Sequence, residues 1–256
     1  MKRRHVLAAL FAATVASGAT AQTAPAPQRY AVLSAVGDQM TVVRARTQTG
    51  SRLDRNDHEV AALPDSALDR LVLKHVDGTL KRAVPAAEVA ALAVASGRLL
   101  DVQRQALARN RPSGEMARAF ADVLPAGGTD RLLLVIKHRA DASIPVAGGN
   151  IGLGRLEGTG FYVDRVTLLR SPDTGLIGTG FLAPFAYVRL VLADASGRVL
   201  AERIIEAAES FHMSDARAGL QPWDMMTPSE KVAALDRLLQ RHIESELPRL
   251  FAAASQ

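Results

Sequence analysis

A chain of 256 residues with 48% hydrophobic side chains can bury one sizeable core, and the absence of cysteine excludes disulfides, thiolate metal sites and a lipid-attachment cysteine. The formal net charge is +5, but Lys2, Arg3 and Arg4 belong to a leader-like segment without acids; of 31 Lys+Arg, 28 then remain against 26 Asp+Glu. That balance of +2 excludes a strong electrostatic argument for nucleic acid or an anionic membrane as partner.

The basic start, the apolar stretch Val6 to Ala16 and the small residues Ala19-Thr20-Ala21 predict a signal peptide over residues 1–21, with a soluble mature protein starting at Gln22 in the periplasm of a bacterium. The apolar stretch is too short for a stop-transfer helix. Residues 22–28, with Pro25 and Pro27, read as a linker, residues 29–250 as one domain and residues 251–256 as a tail.

Tyr30 to Val36 and Met40 to Ala45 are β-prone runs, and the glycine-containing connection Gly37-Asp38-Gln39 predicts a hairpin between them. The polar run Thr47 to Glu59 reads as a loop. Asp65 is placed to cap a helix with Leu68, Leu71, Val72 and His75 on one stripe, ended by Asp77-Gly78. Pro85 opens a second helical stretch through Val89 and Leu92, broken at Ser96-Gly97 and resumed over Leu99 to Arg109. Ser113 is expected to cap a third helix carrying Met116, Phe120 and Val123 as far as Pro125.

The strongest strand signals follow. Leu132 to Ile136 is a short apolar run. A glycine-rich segment holds Gly-Thr-Gly-Phe twice, at Gly158 to Phe161 and Gly178 to Phe181. Tyr187 to Ala193 and Val199 to Ile205 form a hairpin turned by Asp194-Ala195-Ser196-Gly197. Thr227-Pro228-Ser229-Glu230 is a capping box with proline at the first helical position; the helix it opens bears Val232, Leu235, Leu238, Leu239, Ile243, Leu247 and Leu250 on one side, and Pro248 should end or kink it. Helices interspersed with these strands predict an α+β or α/β fold: a mixed or antiparallel sheet with helices packed on its faces.

Chemistry is harder to find. Apart from His5, the histidines are His58, His75, His138, His212 and His242, none paired at metal-ligand spacing. There is no nucleophile elbow and no phosphate loop; Gly148 to Gly154 misses the third glycine of a dinucleotide cradle, since Glu157 stands there. Asp54 to Glu59 lacks the turn glycine of a calcium loop. No cofactor and no metal are predicted. The run Thr174 to Val188 carries no charge. Its residues are either core or an exposed apolar flap, and Leu176, Ile177, Phe181, Leu182 and Phe185, with Trp223, are the candidate contacts for a partner.

The order of a helix, the strand Leu132 to Ile136, a glycine-rich excursion and the two strands around Asp194-Ala195-Ser196-Gly197 resembles the periplasmic domains of the CsgG family, the LpoB-type synthase activators and the TolB amino-terminal domain. The likeness spans roughly residues 85 to 250 and rests on element order. It implies a helix-backed sheet serving as an assembly or docking module for another envelope protein; no functional residue carries across, and the missing cysteine departs from the lipoprotein members. The expected function is thus a non-enzymatic periplasmic binding module. The alternative is a hydrolase or small-ligand-binding protein whose site is assembled from distant loops, with His138, His212, Asp164 and Asp215 as candidates.

Overall fold

A computed structural model of the chain describes residues 27–255 apart from 38, 47–53, 64–65, 94–96, 125–127, 147, 171–174, 176 and 213–220. Residues 1–21, expected to be a signal peptide, and Asp65, Leu176 and Asp215 therefore lie outside the described residues. In chain order the elements are β1 (Arg29–Ala35), β2 (Gln39–Arg44), β3 (Asp57–Ala62), α1 (Ala67–Ala83), β4 (Glu88–Ala93), α2 (Gly97–Ala108), α3 (Pro112–Ala121), β5 (Arg131–Lys137), β6 (Arg139–Asp141), β7 (Ile144–Val146), β8 (Gly149–Ile151), β9 (Arg155–Arg170), β10 (Ile177–Asp194), β11 (Val199–Ala208), β12 (Phe211–His212) and α4 (Pro228–Ala254).

Ten strands form one mixed sheet, ordered β3-β2-β9-β10-β5-β1-β4, with β11 and β12 also on β10 and β6 on β9; β7 and β8 form a separate small ribbon. The expected α+β class is the observed one. Everything turns on β10. Its first part pairs with β9 and its second part with β5 along one edge, while β12 and then β11 take the other. One long strand is thereby shared by two half-sheets, β4-β1-β5 at one end and β3-β2-β9 at the other.

The expected hairpin between β1 and β2 does not form. β1 lies between β4 and β5, and β2 between β3 and β9. Because β1 is parallel to β5, β2 is parallel to β9, and both β5 and β9 are antiparallel to β10, the two strands run the same way. Gly37, at φ 99, passes the chain from one half-sheet to the other instead of reversing it. Where β2 meets β9 the backbones come so close that a Cβ on Gly160 would strike the Thr41 carbonyl, which is why glycine stands there.

Both faces of β1 and β5 are covered. Leu133 and Val135 of β5 enter a core with α1 and α4, while Leu132, Leu134 and Ile136 enter another with α2 and α3. All five are fully buried, so the unbroken apolar run is that of a central strand without a wet face. Each such side chain contributes about 1.5–3 kcal/mol of burial. A third core, with Val43, Tyr162, Phe181, Phe185 and Tyr187, lies in the second half-sheet beneath the excursion β6–β8. Two tyrosine hydroxyls tie that excursion down: Ser143 N donates to Tyr187 Oη at 3.1 Å and Leu153 N to Tyr162 Oη at 3.1 Å. Burial raises both phenol pKa values, that of Tyr162 to about 12, so they stay neutral.

Several local expectations are corrected. α1 does not stop at Asp77-Gly78 but runs to Ala83, because Leu80 continues its buried stripe and Lys81 pairs with Asp77 one turn back. The helix expected from Pro85 to Ala93 is a turn followed by β4, which fills the free edge of β1 in parallel register. Part of the expected loop before Glu59 is already β3. Ser113 sits inside the first turn of α3, whose N-cap is Arg111. Pro248 lies within α4, which continues to Ala254, so residues 251–254 are helix and not tail. Its capping box forms as expected, and Leu235, Leu238, Leu239, Ile243, Leu247 and Leu250 are buried, whereas Val232 is exposed. No helix among the described residues is long and apolar enough to cross a membrane.

Candidate functional site

The uncharged run divides at a β-bulge. Phe181 is opposite Asp164 and Thr179 opposite Leu168, so three residues of β9, Arg165 to Thr167, face the single Gly180 of β10. Gly180 has φ 82, and a Cβ there would strike the Asp164 carbonyl. The ladder lost in the bulge is replaced by Asp164: its Oδ1 accepts from Val166 N at 2.8 Å and Thr167 N at 2.7 Å, its Oδ2 from Thr167 Oγ1 at 2.8 Å. A buried carboxylate is thus spent on holding a bend.

Inside the bulge, Phe181, Leu182 and Phe185 are fully buried and cannot meet a partner in this fold; the flap expected from the sequence is core at these three positions. Trp223 is half-buried. It meets Phe161 edge to face at 5.8 Å, with Lys231 Nζ 4.0 Å above its ring, so it fixes the entry of α4. Burial lowers the Lys231 pKa.

Outside the bulge the picture reverses. Ile177 is 62% exposed, Leu168 69% and Val166 58%, three of the nine exposed large hydrophobic residues among the described ones. Thr179 is opposite Leu168 and Ile177 opposite position 170, so Leu168 and Ile177 fall on one face of the outer ribbon. Val166 and Leu168 are not among the contacts expected from the sequence; their signal is the apolar alternation Val166-Thr167-Leu168 on the β9 side of the hairpin.

Of the residues of the enzyme alternative, Asp215 lies outside the described residues, and Asp164 and His138 are not brought together. Asp164 serves the bulge, while His138 lies at the other end of β9, its carbonyl accepting from Gly158 N at 3.2 Å. His138 is held from both sides: Arg189 Nη2 donates to Nδ1 at 3.1 Å and Nε2 meets Glu206 Oε1 at 2.8 Å. Since a guanidinium can only donate, Nδ1 accepts from Arg189, and Nε2 donates to Glu206 Oε1. Arg189 Nη1 donates to Glu202 Oε1 at 3.0 Å, and Ser113 Oγ to Glu202 Oε2 at 2.5 Å. Of His212 only its place in β12, opposite Phe181, is described. His75 is buried against Asp236 at 2.6 Å, tying α1 to α4, and the His242 pKa is lowered by burial. Asp54 accepts from Asn56 N and Arg155 N, closing its own loop. Among the described residues no group of three or more His, Asp or Glu could hold a metal ion.

A cleft of about 500 Å3 opens beside this network, between the α2–α3 turn and the strands; Arg139, Asp141, Arg155, Arg189 and His138 line it with an apolar wall from Leu107 and Pro112. It continues past Arg189 toward Arg111 and Arg118. The sequence holds a signal for this feature that a reading for triads overlooks: Arg189 is a lone charge inside an otherwise apolar central strand.

No protein-family model and no curated protein sequence matches the chain. A solved structure described as a neuraminyllactose-binding hemagglutinin homolog from Helicobacter pylori is similar at a TM-score of 0.39 and 7% sequence identity, covering 91% of this chain and 90% of that one, a likeness too distant to carry an argument about this protein.

Proposed function

We propose that this chain is an exported, non-enzymatic binding module of the bacterial periplasm that docks on another envelope protein through the outer end of the β9–β10 ribbon. The observation that carries the reading is the ribbon beyond the bulge, where Val166, Leu168 and Ile177 are exposed although the same two strands bury every large side chain from Phe181 to Val188. A bulge held by a dedicated carboxylate is a device for aiming a strand pair away from its sheet. Apolar side chains kept in water at such a tip are a contact surface, and the extended backbone beside them can be joined by a partner strand. Asp164 spends both oxygens on the bulge and His138 is tied between Arg189 and Glu206, so each has a structural role in this fold.

Deleting residues 174 to 183 would remove Phe181 and Leu182 from the core, so point changes are the sharper test. Crosslinking in envelope fractions should lose the partner of the wild-type chain when Leu168→Ser and Ile177→Ser are combined. An identical set of crosslinked proteins would overturn the assignment.

A further inference from the structure

The cleft beside Arg189 has no part in the docking surface, and its chemistry is different. Arg189 is 12% exposed and held at both ends of its guanidinium, by Glu202 and by His138 Nδ1, which fixes its plane. At the rim, Arg139 pairs with Glu157 and Arg155 with Asp141 at 3.5 Å, both across the β6–β9 ladder. Those two arginines are 46% and 65% exposed, and Asp141 is 91% exposed, so their ion pairs are of the solvent-screened kind. One carboxylate uses at most two of the five N–H donors on a guanidinium, which leaves donors on both rim arginines for an arriving acceptor. Asp141 is the lone carboxylate lining this part of the cleft, against three arginines. The opposite wall, Leu107, Ala108 and Pro112, accepts an apolar body, and about 500 Å3 suits a small molecule.

We infer that this cleft binds a small organic oxyanion, a carboxylate or phosphate ester, with Arg139 and Arg155 gripping the anionic group over the preset guanidinium of Arg189 and the apolar wall holding the remainder. The site is independent of the ribbon.

Isothermal titration of the chain from Gln22 onward with inorganic phosphate and, separately, with succinate tests this, at ionic strength held constant with sodium chloride. Saturable binding of at least one anion is expected, and which one binds tells phosphate from carboxylate recognition. Arg139→Gln and Arg155→Gln should each weaken it roughly tenfold, the loss of one charge-assisted hydrogen bond. Arg198→Gln, on the distant β10–β11 turn, should leave it unchanged, as should the Leu168→Ser and Ile177→Ser pair that tests docking. Arg189 is left in place, since removing it strips partners from His138 and Glu202. No saturable heat with either anion from a chain with native circular dichroism would overturn the inference, and so would wild-type affinity in the Arg139→Gln, Arg155→Gln double variant.

Discussion

The stretches of β10 on either side of Gly180 are both uncharged up to Val188 and differ in fate. From Phe181 to Val188 the strand lies between partners on both edges with cores on both faces, and each large side chain is buried. A few residues earlier, across Gly180, Ile177 stands in solvent beside Leu168. Apolar side chains stand on both sides of the bulge; coverage differs. What decides burial is whether another layer reaches the strand, and here the layers stop where Asp164 turns β9 outward.

The largest expected effect is therefore at the inner end. Phe185→Ala should destabilise the fold by about 3–5 kcal/mol, the cost of an aromatic cavity in a core that cannot collapse around it. Urea unfolding checks this, and a loss under 1 kcal/mol would mean that the inner end is as loosely covered as the outer. The boundary comes next. Asp164→Ala leaves the Val166 and Thr167 amides and the Thr167 hydroxyl without their acceptor and should cost about 2 kcal/mol. Asp164→Asn, which keeps an acceptor oxygen, should recover much of that. Hydrogen exchange at the Val166 and Thr167 amides should accelerate in the alanine variant first.

A smaller effect depends on pH. Asp194 at the far end of β10 takes hydrogen bonds from the Ser196 hydroxyl and the Arg198 guanidinium and from both of their amides, which holds its pKa well below the ordinary carboxylate value. A depressed pKa means that the folded state favours the charged form, so the contribution is full above about pH 4 and is lost as the pH falls through and below that value. Asp194→Ala should thus cost about 1 kcal/mol at neutral pH, and the gap to wild type should close in acid. A gap that stays constant down to pH 2 would contradict the assignment.

What the sequence disclosed follows the range of the forces involved. The apolar run in β5, the Asp194 hairpin and the Thr227 capping box are local signals, and each folds as read. β4 was misread because Glu-Val-Ala-Ala-Leu-Ala suits a helix by propensity, and its strand state comes from β1 offering an unpaired edge. The β1–β2 connection looks like a hairpin locally, but β1 pairs with β4 and β5 and β2 with β3 and β9. The site was hidden for the same reason. The charge network joins Ser113, Arg189, Glu202 and Glu206 from three separate elements with His138 from the link between β5 and β6, which no spacing rule reveals. The ribbon's exposed face depends on a bulge whose extra residues are in β9, while the glycine that permits it is in β10.

The smallest expected change in stability separates the two ends most cleanly. Leu168→Ser with Ile177→Ser removes two large apolar groups, yet both already face water, so the midpoint of unfolding should shift by less than about 0.5 kcal/mol. If apolar side chains at the tip served the fold, the double change would cost several times that, and the outer end would join the inner one as core. If they serve a partner, stability stays level while crosslinking is lost. Stability and docking measured on the same pair of substitutions therefore separate the two roles of the outer ribbon, and only a module that spends that end on a partner moves the second without the first.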